Sequence, residues 1–231
     1  MFRHLLGGGD MTGFFISLLL TLPIVLLSLS LHETAHGYVA WRLGDPTAKS
    51  LGRLTLNPMK HLDPLGFLSM VLTGFGWANP VPVNSRYFKK PRRDIALVAA
   101  AGPVSNLLLA TVFLLLLRFL GFGYLRTLIP KNELQFNLIH FTLFFLRCGV
   151  YMNITLAVFN LLPVPPLDGS RILYRLLPPR LYYKFMQHER VIVLVVLALL
   201  LLGPLSSLIN YLTTLIMRGM FALFGMKGFL L

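Results

Sequence analysis

The chain has 231 residues, of which 56% are hydrophobic and 13% charged, a balance that excludes an ordinary soluble domain and places the protein in a bilayer. Its 21 Lys and Arg against 8 Asp and Glu give a formal charge of +13. In a soluble chain that excess would point to nucleic acid. Here the basic residues are confined to short segments between long uncharged runs, so anionic lipid headgroups are the expected counterpart and no nucleic-acid partner is expected. The single cysteine, Cys148, excludes an intramolecular disulfide and a cysteine-cluster metal site.

Four uncharged runs are read as long enough to cross about 30 Å of hydrocarbon at about 1.5 Å per helical residue. They are Gly13 to Leu31, Ile95 to Leu117, Cys148 to Leu162 with the residues just before it, and Val191 to Met217. The first is too long for the apolar core of a secretory signal and runs directly into the most polar stretch of the chain, so it is expected to be retained. A further stretch, Gly66 to Val83, carries Gly74, Gly76, Pro80 and Pro82. These cut its helical part to about two turns and predict a re-entrant loop or hairpin rather than a span.

If that loop returns to the side it came from, the segments Arg42 to Asp63, Arg86 to Asp94 and Arg171 to Arg190 share one face and hold fourteen of the 21 basic residues. The positive-inside rule makes that face cytoplasmic. The segment Gly169 to Tyr183 reads as an interfacial helix on the same side, with Arg171, Arg175 and Arg180 opposite Leu173, Leu176 and Leu177. No internal repeat is seen, and no connection is long enough for a separate soluble domain. The expected architecture is therefore one all-α polytopic membrane domain over 1–231, with a core of about 12–180 and a C-terminal membrane helix over about 190–217.

Six acidic residues, Asp10, Asp45, Asp63, Asp94, Glu133 and Glu189, fall at loops or span ends, whereas Glu33 lies inside the first helix and Asp168 follows the Pro163, Pro165, Pro166 break after the third span. A lone charge near mid-membrane costs about 3 kcal/mol on insertion scales, so it marks function with a partner nearby. Around Glu33 the chain reads His32, Glu33, Thr34, Ala35, His36. Residues four apart on a helix are displaced by about 40° and about 6 Å, so both imidazoles can reach one metal ion from one face. Glu33 lies between them in angle and can approach a water as general base without being a ligand. The plain alternative, a polar helix end with carbonyl-bonded histidines, suits a soluble helix better than an apolar run.

Counting inward from Arg42 places His36 about 9 Å and His32 about 15 Å below the cytoplasmic interface. With Asn160 at that depth, Arg147 falls about 20 Å further out, at the opposite interface. A catalytic zinc takes three protein ligands and keeps one open position. Of the remaining histidines, His4, His140 and His188 fall near span ends or loops and His61 reads as a loop residue, so Asp168 is the stronger third ligand. A competing role for Asp168 is the N-cap of the following helix.

The assembly resembles the site-2 protease family of intramembrane zinc metalloproteases. The resemblance rests on His32-Glu33-Thr34-Ala35-His36, on Gly102-Pro103-Val104-Ser105-Asn106, and on Asn160-Leu161-Leu162-Pro163-Val164-Pro165-Pro166-Leu167-Asp168-Gly169. It extends through Asn57-Pro58, His61-Leu62-Asp63-Pro64 and Trp77-Ala78-Asn79-Pro80-Val81-Pro82-Val83-Asn84, covering about residues 15 to 180. It implies one Zn2+ per chain held by His32, His36 and Asp168, water activation by Glu33, oxyanion or carbonyl support from Asn160, and positioning by Asn106. It also implies a membrane-entering loop at Gly66 to Val83 that holds an extended substrate segment, and a transmembrane protein as substrate. Roles for His61 and Asn79 stay open, and Asn79-Pro80 also reads as a plain turn. The chain is similar to the small bacterial-type members that lack PDZ and nucleotide-sensing domains, which implies a bacterial cell membrane with the active site nearer the cytoplasmic face. An alternative from a different class is a metal or ion transporter using the same His/Glu/Asp cluster at broken helices.

Overall fold

The computed structural model describes residues 11–73, 76–124 and 130–226. Arg3, His4, Asp10, Gly74, Arg126 and Lys227 lie outside them. Among the described residues the protein is helical, with one isolated β-bridge and no strand. Three helices are long and apolar enough to cross a membrane, Leu18–Arg42, Pro91–Gly121 and Glu133–Asn160, or four if a bent helix pair is taken as one span. The protein is an integral membrane protein. The chain falls into two compact units, Met1–Pro91 and Arg92–Leu231.

In the first unit, α1 (Met11–Arg42) runs for 32 residues and accommodates Pro23. Its polar residues are turned inward: Ser28, Ser30, His32, Glu33 and His36 are buried, while Leu19 is 74% exposed. This inversion of the soluble pattern is what a hydrocarbon solvent demands. The serines satisfy themselves locally, Ser28 donating to the Ile24 carbonyl at 2.6 Å and Ser30 to the Leu26 carbonyl at 2.7 Å. After α1 come α2 (Thr47–Ser50), a 3-10 turn at Pro58–Lys60 capped by Asn57, and α3 (Pro64–Thr73).

The expected hairpin is present. Its helical part, α3, has ten residues, longer than about two turns, and the chain then returns to its starting point. Leu62 bridges Ala78 in antiparallel fashion, and the Asn79 amide donates to the His61 carbonyl at 2.7 Å. Close approach inside the loop depends on Gly66 and Gly76, since a Cβ on Gly66 would sit 2.1 Å from the Trp77 carbonyl oxygen.

Asp45, which reads in sequence as a loop acid, is fully buried. One carboxylate oxygen accepts from the Thr47 amide at 3.0 Å and from its hydroxyl at 2.5 Å, and the other accepts from the Asn84 amide at 2.7 Å. It therefore ties the end of α1 to the far end of the hairpin's return segment.

In the second unit, α4 (Pro91–Leu117) continues into a π-helical stretch, Arg118–Tyr124, and α5 (Glu133–Asn160) starts at an Asn132 cap whose side chain accepts from the Gln135 amide at 2.9 Å. Asn106 of α4 donates to Asn153 of α5 at 3.1 Å, and both are fully buried. The α5 helix is unbroken from Arg147 to Asn160, as the depth estimate requires.

Beyond it lie α6 (Asp168–Leu176), α7 (Pro179–Met186), α8 (Glu189–Leu202) and α9 (Pro204–Leu223). The single interfacial helix expected over Gly169 to Tyr183 is instead two, because Pro178 and Pro179 interrupt it. The single C-terminal helix expected over about 190–217 is likewise two. Gly203 adopts φ +102° and Pro204 begins the next helix, a combination that removes an amide donor and sets a left-handed residue where a continuous helix tolerates neither. The bend of 63° lies earlier, between Arg180–Met186 and Glu189–Leu202. The α9 helix packs on α5, with Tyr151 donating to Asn210 at 2.8 Å and Thr155 to Thr213 at 3.4 Å.

Replacing Asp45 by Ala leaves the Asn84 and Thr47 amides without their charged acceptor. The expected loss is about 1.5–3 kcal/mol, the range for hydrogen bonds to a charged group, read as a lowered thermal unfolding midpoint in detergent against wild type.

Candidate metal centre

The His32 to His36 segment folds as helix because nothing in it breaks one, and helical spacing then stacks the two imidazoles on one face. Their Nε2 atoms lie 3.0 Å apart, and the rings meet at 88° with centroids 4.6 Å apart. Two zinc-bound nitrogens at about 2.0–2.1 Å in tetrahedral geometry stand about 3.3 Å apart. The pair is therefore set for a shared ion with little movement, and its nitrogen donors suit Zn2+. The neighbouring Thr34 hydroxyl donates to the Thr55 carbonyl at 2.6 Å, and the buried His61 Nε2 lies 2.7 Å from the same oxygen. His61 thus anchors the loop that follows α1 and stands apart from the imidazole pair in its bonding.

Glu33 is buried between the two histidines in sequence, and its Oε2 accepts the Val81 amide at 2.8 Å. An unpaired carboxylate in such surroundings carries a large desolvation cost, which this bond offsets.

In the second unit, the Leu161 to Leu167 turn contains Pro163, Pro165 and Pro166, so the helix cannot continue through it. Asp168 opens α6 as its first residue. The N-cap position belongs to Leu167, so Asp168 does not serve as that cap. Asp168 is buried, as is Ser170, whose hydroxyl donates to the Leu167 carbonyl at 2.7 Å. Gly169 sits so close beneath the end of α5 that a Cβ there would lie 2.3 Å from the Leu161 and Leu162 carbonyl oxygens.

His32 and His36 in the first unit and Asp168 in the second are each buried and each can offer one ligand atom to a metal ion. Asn160 is half-buried and its amide donates to the Leu156 carbonyl at 2.9 Å. Asn106 is directed to Asn153. Asn153 went unnoticed in the sequence, although an asparagine within an apolar run is itself a signal, since it must find a partner there. Asp45 and the Val81 amide acquire their roles only through tertiary contact. Position gave no sign of Asp45, but Pro80-Val81-Pro82 leaves a single backbone donor in three residues and so marks Val81.

A membrane-embedded helix bearing a His-Glu-Thr-Ala-His site with an aspartate as third candidate ligand defines a membrane metallohydrolase. The comparisons with known proteins specify it further. Residues 127–203 match the model of peptidase family M50. The chain is 46% identical over 194 residues to the provisionally assigned zinc metalloprotease YwhC of Bacillus subtilis (strain 168), covering 83% of this chain and 84% of that protein. It is 35% identical over 166 residues to the similarly assigned Rip2 of Mycobacterium tuberculosis (strain H37Rv), covering 68% of this chain and 55% of Rip2. Over 202 residues it is 24% identical to the zinc metalloprotease MJ0392 of Methanocaldococcus jannaschii, covering 87% of this chain and 47% of that protein. No solved structure gives a significant match. The chain belongs to peptidase family M50, the site-2 protease family. The transporter alternative finds no support among these relatives.

Adding a Cβ at position 169 must displace the backbone at the end of α5 or the start of α6, and with it Asp168. Gly169→Ala is expected to lower the zinc content of the purified protein several-fold, measured by elemental analysis against wild type.

Proposed function

We propose that this protein is an intramembrane zinc metalloprotease that hydrolyses peptide bonds of membrane-spanning substrates within or near the bilayer. The observation that carries the reading is the His32 and His36 pair, its Nε2 atoms 3.0 Å apart on one membrane helix with Glu33 between them in sequence, in a chain similar to zinc metalloproteases. His32, His36 and Asp168 hold one Zn2+ in this reading. Zinc bound there supplies a Lewis acid for the scissile carbonyl and lowers the pKa of a water.

Glu33 takes the proton from the attacking water and returns it to the leaving amine, the work of a general base and then a general acid. It is suited to this because it is buried, lies between the two histidines in sequence, and has one carboxylate oxygen satisfied by the Val81 amide. Asn160 steadies the carbonyl oxygen of the substrate and Asn106 acts as a positioning residue. In the present structure one N–H of the Asn160 amide goes to the Leu156 carbonyl, which leaves its second N–H for a substrate oxygen. A transmembrane protein is the expected substrate, because the site lies on a membrane helix and a hairpin precedes Val81. The distribution of basic residues between loops supports an active site nearer the cytoplasmic face, and the similarity to YwhC supports a bacterial cell membrane.

Glu33→Gln keeps the size and burial of the side chain but removes the base. The expected outcome is unchanged zinc content and a loss of about 10²–10⁴-fold in cleavage of a model single-span substrate reconstituted with the purified protein. Cleavage at the wild-type rate by a zinc-loaded Glu33→Gln protein would defeat the assignment.

A further inference from the structure

The return segment of the hairpin is fixed to its own unit at three points. Arg53 donates to the Asn79 carbonyl at 2.7 Å and to the Pro80 carbonyl at 3.3 Å, Glu33 accepts from the Val81 amide at 2.8 Å, and Asp45 accepts from the Asn84 amide at 2.7 Å. Between the outer two ties the chain reads Pro80-Val81-Pro82. Proline has no amide hydrogen, so the only backbone donor in these three residues is that of Val81. That donor goes to the carboxylate of the motif helix.

The side chain of Val81 adds a second constraint. Val81 is buried, and its Cγ1 lies 3.0 Å from where a Cβ would stand on Gly37, one helical turn beyond Glu33. The valine therefore rests on the strip of α1 left bare by Gly37 while its amide faces Glu33. Pro82 holds residue 81 in extended backbone, which keeps the amide at a fixed angle to the helix. A carboxylate side chain has three rotatable bonds, and one charge-assisted hydrogen bond from rigid backbone removes most of that freedom.

Resting on the assignment of Glu33 as the general base, we propose that the Val81 backbone amide is a positioning group for the reaction. It engages Oε2, fixes the plane of the Glu33 carboxylate, and leaves Oε1 to receive the proton of the attacking water. The Pro-Val-Pro sequence serves to keep this donor single and its direction constant. Because Val81 lies three residues after the Ala78 bridge that closes the hairpin, the same bond couples the placement of the hairpin to the placement of the base.

The test is the steady-state kinetics of Val81→Pro, with a quenched fluorescent single-span peptide in micelles as substrate and zinc content measured in parallel. Position 81 precedes a proline and so favours extended backbone; the ring carbon that takes the place of the amide hydrogen also crowds Glu33, so the variant is read together with a second one that removes the N–H alone. The expected result is a fall in kcat of about 10²-fold, the scale for a misplaced reacting group, with KM and zinc content held. Val81→Ala, which keeps the amide, is expected to lose far less. Wild-type kcat in zinc-loaded Val81→Pro overturns the proposal, as does an equal loss in Val81→Ala, which would trace the effect to side-chain packing.

Replacement of Val81 by its α-hydroxy acid, made whatever Val81→Pro shows, removes only the N–H. A fall in kcat there supports the proposal and an unchanged kcat overturns it. Wild-type protein that carries zinc and cleaves no membrane-spanning peptide overturns the protease reading together with this one, whereas an active wild type with an indifferent position 81 defeats this one alone.

Discussion

An ionisable side chain inside a hydrocarbon layer persists only where protein groups replace the water it has lost. The first unit is arranged around that constraint. Glu33 takes a backbone amide from Val81, Asp45 takes another from Asn84, and both donors belong to one short segment that returns from the hairpin. Carboxylates on or next to α1 therefore do two things. They are stabilised by the amides, and they place a loop that has little regular structure of its own.

In the second unit, beside the buried Asp94 and Asp168, neutral polar groups inside the helices satisfy one another. Asn106 and Asn153 pair between α4 and α5, Asn153 also donates to the Gly149 carbonyl at 2.9 Å, and Tyr151 reaches Asn210 on α9. Each such bond is expected to contribute only about 0.6 kcal/mol in a membrane, so their value lies in register more than in strength. The close contact between Gly149 and the Phe113 ring fixes the approach of α4 and α5 that allows the asparagines to meet.

Much of this was legible in the sequence because it depends on local rules. Apolar runs gave α1, α4 and the last part of α5, which begins at Glu133, well ahead of the run at Cys148 and across Arg147; helical spacing put His32 and His36 on one face, and three prolines follow the end of α5 ahead of Asp168. The remainder depends on tertiary contact. Asp45 sits where any solvated turn acid would sit, and only its partner Asn84, 39 residues away, distinguishes it. The break at Gly203-Pro204 was a local signal that hydrophobicity masked, since both flanking segments are equally apolar and run length took precedence over the glycine-proline pair. The same weighting merged α6 with α7 across Pro178-Pro179.

The placement of that break has a bearing on where the domain can be divided. The match to the family model ends at residue 203, at the turn between α8 and α9. Yet α9 supplies Asn210 to Tyr151 and Thr213 to Thr155, and Ile209, Thr213 and Phe221 are buried. Trimming the chain to the family boundary would strip one flank of the very helix that leads to Asp168, turning two side chains that now have neighbours toward lipid. The last helix is thus an integral wall of the second unit, although the shared sequence pattern stops short of it.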